Sequence, residues 1–150
     1  MRIPLFTSLN QPEMTYLNNV VLLKTPRKLL NTIFILNTGA PKTIIGYSDA
    51  LRLQIPFNSL EKTNTVRIGG RSFQGYCFNR INFIFRSEDG KIINEEFPVC
   101  VVKPTSEKEQ EELSKIPTII GTDFLKEKKY ILFCDMDGGV AYLDKKEQRI

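Results

Sequence analysis

Residues 32–45 read TIFILNTGAPKTII. A run of apolar and β-branched residues stops at a loop of small and polar residues, and the apolar pattern resumes at Ile44. Apolar runs of this kind, bounded by Gly and Pro, are typical of buried strands followed by a turn. The stretch therefore predicts a buried strand that delivers a polar loop, beginning at Asn37, to the centre of the fold.

Two other segments stand out further along the chain. Residues 66–76 read VRIGGRSFQGY, and paired glycines between short strand-like runs predict a hairpin with its tip at Gly69 and Gly70. Residues 119–125 read IIGTDFL, a short apolar run followed by the start of a helix. Paired glycines alone mark an ordinary turn, so the information lies in the order of the three segments.

In this order, the three segments resemble the retropepsin-like (retroviral-type) aspartic proteases. The active-site loop of that family reads apolar–apolar–Asp–Thr–Gly–Ala–x–x–Thr, and the chain departs from it at one position, where Asn37 replaces the catalytic Asp. Residues 119–125 are similar to the segment that the family places beside this loop, and residues 64–76 stand where it has its flap. The loop positions that match are Ile35, Leu36, Thr38, Gly39, Ala40, Thr43 and Ile45.

The expected fold is all-β: one domain over residues 1–150, a small closed β-barrel of the retropepsin-like type with two or three short helices. Residues 1–13 are expected to form an N-terminal arm or edge strand rather than a core element. Residues 106–115 are expected to form a charged helical excursion, because Ser106 and Glu109 have capping-box spacing. Strands are predicted over 14–24, 32–36, 65–68, 76–86, 97–102, 118–120, 130–134 and 140–143, and further helices over 46–53, with Ser48 as a possible cap, and 123–129, with Thr122 or Asp123 as cap.

The resemblance also implies a mechanism. Two carboxylates share one proton; the ionised one activates a water and the protonated one assists at the peptide carbonyl. Because the chain has one such loop in 150 residues, a complete site would need a homodimer with a peptide or protein as substrate. The implied catalytic positions are Asn37, Thr38 and Gly39, and the implied substrate-binding positions are Ala40, Ile68, Gly69, Gly70, Phe73 and Tyr76.

Asn37 determines whether the chain can be active. Its amide has nearly the volume of a carboxyl group but cannot take a proton from water at neutral pH. The chain as written is therefore expected to bind peptides and hardly cleave them. Either an active protease carries an inactivating Asp-to-Asn change, which the otherwise intact loop favours, or the natural protein has lost catalysis. The alternative function is a naturally non-catalytic peptide-binding or dimerisation module on the same fold.

Composition excludes several other chemistries. The chain has no His, which removes Ser–His and Cys–His hydrolases. The three cysteines are far apart, so neither a zinc site nor any other metal or cofactor is expected, and Cys77 and Cys100 are interpreted as small buried hydrophobes. Asp123 is interpreted as a helix-start residue, and Asp135 and Asp137 as an acidic hairpin turn rather than a calcium loop.

The charge pattern bears on partners. The net charge of +4 is spread along the chain and interleaved with Glu, so no nucleic-acid partner is expected. An RNA-binding barrel remains a weaker alternative, with Arg67, Arg71, Phe73 and Tyr76 as candidate contacts. No apolar run is long enough for a spanning helix and no secretory signal is recognisable, so the expectation is a cytoplasmic protein without a membrane partner.

Overall fold

A computed structural model describes residues 1–7 and 16–146. The first strand predicted, over 14–24, and the arm over 1–13 therefore lie partly outside the described residues. The helices are α1 (Tyr47–Arg52), α2 (Glu107–Ser114) and α3 (Thr122–Glu127), with a 3-10 turn at Phe57–Ser59. The strands are β1 (Arg2–Leu5), β2 (Leu17–Lys24), β3 (Leu29–Leu36), β4 (Ile44–Ile45), β5 (Glu61–Lys62), β6 (Val66–Ile68), β7 (Arg71–Phe73), β8 (Gly75–Phe78), β9 (Asn82–Arg86), β10 (Ile92–Glu96), β11 (Val99–Val102), β12 (Thr118–Ile120), β13 (Tyr130–Asp135) and β14 (Val140–Lys145).

Most strands belong to a sheet with the order β10-β9-β2-β3-β12-β4-β11-β8-β5, which curls into a half-barrel. The hairpin of β2 and β3 is its longest element and pairs from Leu17 opposite Leu36 to Lys24 opposite Leu29. β12 runs parallel to β3, and β4 runs parallel to β11. The prediction of an all-β barrel with two or three short helices is confirmed.

The core is built from aromatic rings that the inner face of the sheet and α3 bring together. Phe124 of α3 is fully buried and makes edge contacts with Phe83 and Phe97 at centroid distances of 5.4 and 5.2 Å. It also stacks on Tyr130 at 5.8 Å. Aromatic pairs in such geometries stabilise a core beyond the area they bury. This packing fixes α3, and with it the preceding 119–121 segment, against the sheet.

The prediction of one continuous strand over 76–86 is wrong, because the segment forms two strands, β8 and β9. β8 pairs with β11, whereas β9 pairs with β2 and β10, so the chain changes neighbours between Phe78 and Asn82. Ile81, Phe83 and Phe85 are buried as the alternation predicts, but upstream it is Phe78 that is buried. The period-2 pattern is reset where the backbone leaves one pairing partner for another.

The N-terminal segment contributes to the core, contrary to expectation. β1 is an edge strand of a separate sheet with the order β1-β14-β13, but Ile3 and Leu5 are only 1% and 5% exposed and join the main core cluster. The alternation of apolar residues in β1 allows one face to be buried while the edge remains open.

Within the described ranges, no helix is both long and apolar enough to span a bilayer.

Helix starts differ from the prediction in two of three places. Ser106 caps α2, accepting a hydrogen bond from the Glu109 N–H at 3.2 Å, as the capping-box spacing predicts. α1 begins after Gly46, and the Ser48 hydroxyl instead donates to the Ser114 carbonyl. α3 begins after Gly121 without a side-chain cap, so neither Thr122 nor Asp123 has that role.

Candidate active site

The loop that begins at Asn37 leaves the end of β3 and folds back on itself. The Ala40 N–H donates to the Asn37 carbonyl at 3.0 Å, and the Asn37 N–H donates to the Ile120 carbonyl at 3.0 Å. The side-chain Oδ1 of Asn37 accepts a hydrogen bond from the Gly39 N–H at 2.9 Å. Residues 37–39 are exposed. Asn37 is thus held by backbone and side-chain bonds yet remains open to solvent.

Thr43 joins this loop to the 119–125 segment. Its hydroxyl donates to Asp123 Oδ1 at 2.7 Å and accepts from the Gly121 N–H at 3.0 Å. The Thr43 N–H donates to Asp123 Oδ2 at 3.1 Å, across 80 residues of sequence. Thr43 itself is fully buried, so water does not compete at its hydroxyl, whereas the Asp123 carboxylate is partly exposed. Asp123 therefore links the loop of residues 37–43 to the 119–125 segment. Its position at the start of a helix gives no indication of this role in the sequence.

Gly121 is required by the closeness of these two segments. A Cβ at this position would lie 2.6 Å from the Ala40 carbonyl oxygen and 2.7 Å from that of Lys42. Both atoms belong to backbone that other bonds hold, including the Thr122 N–H donating to the Ala40 carbonyl at 2.9 Å. Only a residue without a side chain permits this approach.

Asp49 is a structural residue of the site that the sequence did not reveal. It is 4% exposed and accepts hydrogen bonds from the Thr32 hydroxyl at 3.0 Å and the Thr118 hydroxyl at 2.7 Å. Arg52 pairs with it at 2.5 Å. These contacts fasten α1 to β3 and β12, the two strands that carry the loop and the segment beside it. An Asp in the first turn of a helix is common at the surface, so nothing local signals this burial.

The glycine-tipped hairpin forms as predicted, but the aromatic side chains predicted to line its pocket do not both lie on an open face of it. Gly69 and Gly70 have φ of 58° and 82°, as a two-residue hairpin turn with positive φ at both positions requires. Phe73 is 3% exposed and belongs to a second core cluster that includes Leu113 of α2, so it is not an open pocket wall in this conformation. Tyr76 lies outside the hairpin, in β8.

Ala40 and the base of the hairpin share a cavity of about 440 Å³. Its lining consists of Ala40, Pro41, Lys42, Ile44 and residues 63–67. The structure therefore brings the loop of residues 37–43 next to the hairpin, although the glycine tip is not part of this lining. Ile68 is half-buried in the second core cluster.

The remaining candidates are explained by local contacts. Asp135 accepts from the Gly138 N–H at 3.0 Å, as an acidic hairpin turn would. In the described part of the chain, no group of three or more potential metal-ligating side chains occurs. Cys77 and Cys100 lie directly opposite each other on β8 and β11 and are half-buried, with the pKa of the Cys100 thiol raised by burial.

Comparison with solved structures identifies the fold. A retropepsin-like aspartic protease from Rickettsia conorii is similar with a TM-score of 0.59 and 12% sequence identity, over 97% of this chain and 91% of that one. A retroviral protease-like domain of Ddi1 from Leishmania major has a TM-score of 0.43 and 15% identity, over 86% of this chain and 96% of that one. No protein-family model and no curated protein matches the sequence.

The first of these likenesses, together with the loop and hairpin described above, defines the class: the chain has the retropepsin-like fold.

Proposed function

We propose that this chain is a homodimeric aspartic endopeptidase of the retropepsin-like type, present in an inactive Asp-to-Asn form. The observation that carries the proposal is the position of Asn37: exposed, at the end of β3, with Oδ1 held by the Gly39 N–H at 2.9 Å. The likeness in fold to a retropepsin-like aspartic protease supports the same function.

The chemistry follows from what a carboxylate would do at this position. Two carboxylates brought together by a pair of loops share one proton, because like charges about 3 Å apart cannot both ionise. The ionised group takes a proton from the attacking water, and the protonated group donates to the peptide carbonyl oxygen. An amide at residue 37 keeps the hydrogen bond to Gly39 but can do neither, so the dimer of this chain holds peptides without cleaving them.

A second copy is needed because each chain supplies one loop. Support for a partner comes from the β1-β14-β13 sheet, of which β13 is an edge strand. Apolar side chains of the β13–β14 hairpin are about half exposed: Ile131 51%, Phe133 44%, Met136 54% and Val140 50%. Covering such surface with a second copy is favourable, since apolar area removed from water stabilises an interface.

The remaining roles complete the cleft. Thr38 stiffens the paired loops, and Ala40 keeps the wall of the cleft small. The hairpin tip at Gly69 and Gly70 folds over an extended peptide, which pairs through its backbone as an added strand. Ile68 and Tyr76 supply apolar surface beside it.

The test is the Asn37→Asp variant. We expect it to hydrolyse peptides with an acidic optimum and to be blocked by pepstatin, a mimic of the transition state, whereas the chain with Asn37 shows no turnover. Asn37→Ala, prepared in parallel, controls for contaminating peptidases. A folded, dimeric Asn37→Asp variant that cleaves nothing in a broad peptide library between acidic and neutral pH would contradict the proposal.

A second candidate function is a non-catalytic peptide-binding or dimerisation module. The observation that favours it is Asn37 itself, which leaves the loop intact and the site without a titrating group. This candidate predicts that Asn37→Asp leaves peptide binding unchanged and yields no turnover at any pH.

A further inference from the structure

The cavity between the loop and the hairpin has an apolar wall. Ala40, Pro41 and Ile44 form the loop side of the lining, and Val66 contributes from the first strand of the hairpin. At about 440 Å³ it is within the range of pockets that hold small ligands or peptide side chains. An apolar side chain is therefore a suitable occupant.

The same cavity carries two cations, one from each side. Lys42 belongs to the loop and Arg67 to the hairpin, and both side chains are exposed. Within the described residues, neither forms an ion pair, whereas the neighbouring Arg71 is paired with Glu112 at 2.8 Å. The positive charge of Lys42 and Arg67 is thus available to a ligand.

None of the described residues that line the cavity is acidic. The carboxylate of Asp123, which contacts the loop through Thr43, accepts hydrogen bonds from the amide and hydroxyl of that residue. Glu112 forms an ion pair with Arg71. The charge facing a peptide at this place is therefore positive on both walls.

We infer that this site selects acidic peptides: extended segments that place an apolar side chain in the cavity and an Asp or Glu beside it, between Lys42 and Arg67. The inference rests on the proposed function, because the cavity is part of the proposed cleft. A guanidinium binds a carboxylate through two parallel hydrogen bonds, and an ammonium adds a point charge. Opposite charges of peptide and cleft also raise the rate of encounter at low salt.

The experiment uses the chain with Asn37, so that binding is measured without cleavage. The probes are three fluorescein-labelled octapeptide pools that carry Glu, Gln or Lys at one central position, with apolar residues at its neighbours and mixtures elsewhere. Fluorescence anisotropy is expected to show the Glu pool binding about fivefold more tightly than the Gln pool and the Lys pool binding most weakly. Added salt should reduce this difference, since the charges are exposed.

Variants test the assignment to these two residues. Arg67→Glu and Lys42→Glu, each confirmed as folded by circular dichroism, should reverse the order of the Glu and Lys pools. Arg67→Gln should remove most of the preference without introducing a new charge. Lys28→Glu makes the same change in net charge at a residue that directly precedes β3, at the opposite end of that strand from Asn37, and should leave the order unchanged.

The outcomes separate the two proposals. A Glu preference that depends on Arg67 and Lys42 supports the inference even if Asn37→Asp shows no turnover, in which case only the enzymatic proposal fails. Equal binding of the Glu and Gln pools overturns the inference, even if Asn37→Asp cleaves peptides well. Failure of every pool to bind also overturns it.

Discussion

At the scale of single residues, the site depends on a few polar contacts inside an apolar core. Thr43 donates to Asp123 and accepts from Gly121, and all of these bonds bridge segments that are far apart in sequence. A buried donor or acceptor that loses its partner costs more than the bond itself contributes, because it cannot return to water. The loop geometry at Asn37 is therefore sensitive to one hydroxyl that does not touch a substrate.

Thr43→Val tests this dependence. Valine has nearly the shape of threonine but leaves Asp123 and the Gly121 N–H without the hydroxyl, so we expect unfolding free energy to fall by about 3 kcal/mol. Urea denaturation followed by circular dichroism measures the change. Thr43→Ser keeps the hydroxyl and loses one buried methyl group, at a cost of about 1 kcal/mol. If Ser is as damaging as Val, packing rather than hydrogen bonding holds the loop.

At the scale of elements, the hairpin of β6 and β7 is attached to α2. Phe73 and Val66 pack in one cluster with Leu113, and Arg71 pairs with Glu112 at 2.8 Å. α2 is the charged helix expected over residues 106–115, and its packing against the hairpin gives it a structural role. We expect the helix to restrain the motion of the hairpin, which in the proposed function covers the peptide.

Glu112→Gln tests the restraint. Because the two side chains are 50% and 30% exposed, loss of the pair should lower global stability by less than about 1 kcal/mol. Amide hydrogen exchange in residues 66–73 should nevertheless accelerate, since among the described strands β6 and β7 pair only with each other and no larger sheet supports their hydrogen bonds. Glu111→Gln changes the same charge on an exposed neighbouring residue and should leave exchange unaltered. Equal exchange in both variants would show that apolar packing alone fixes the hairpin.

At the scale of the whole molecule, the proposed activity belongs to a pair of chains rather than to one. Each chain provides one loop at Asn37, one glycine-tipped β6–β7 hairpin and one β1-β14-β13 sheet. A symmetric dimer would place identical groups on both sides of its axis. Two Asn37 side chains then leave no proton to share, whereas two Asp side chains form the complete dyad.

Mixing the two forms tests whether activity requires both loops. If the Asn37→Asp variant is mixed with an equal amount of the chain with Asn37 and subunits exchange at random, about one quarter of all chain pairs carry two Asp residues. Activity per Asn37→Asp chain should therefore fall to about half that of the unmixed variant. The measurement is initial rate at constant total protein. Unchanged activity per Asn37→Asp chain, with subunit exchange shown by mass spectrometry, would mean that each chain acts alone.

The sequence by itself determined the features that depend on neighbours in the chain. Local patterns predicted most of strands β2, β3, β13 and β14, the glycine turn at 69–70, the short buried strand at 118–120 and the cap at Ser106. They also predicted the all-β barrel, because many short apolar runs separated by turns can bury their faces only by curling together.

Only the tertiary structure decided which polar groups meet. The Asp49 contacts with Thr32 and Thr118 span 17 and 69 residues, and the Thr43–Asp123 pair spans 80. The burial of Phe73 against α2 and the break between β8 and β9 likewise depend on partners remote in sequence. A local pattern shows only whether a side chain is polar or apolar. Its hydrogen-bond or packing partner depends on how the whole sheet curls, because the curling brings segments that are distant in sequence into contact.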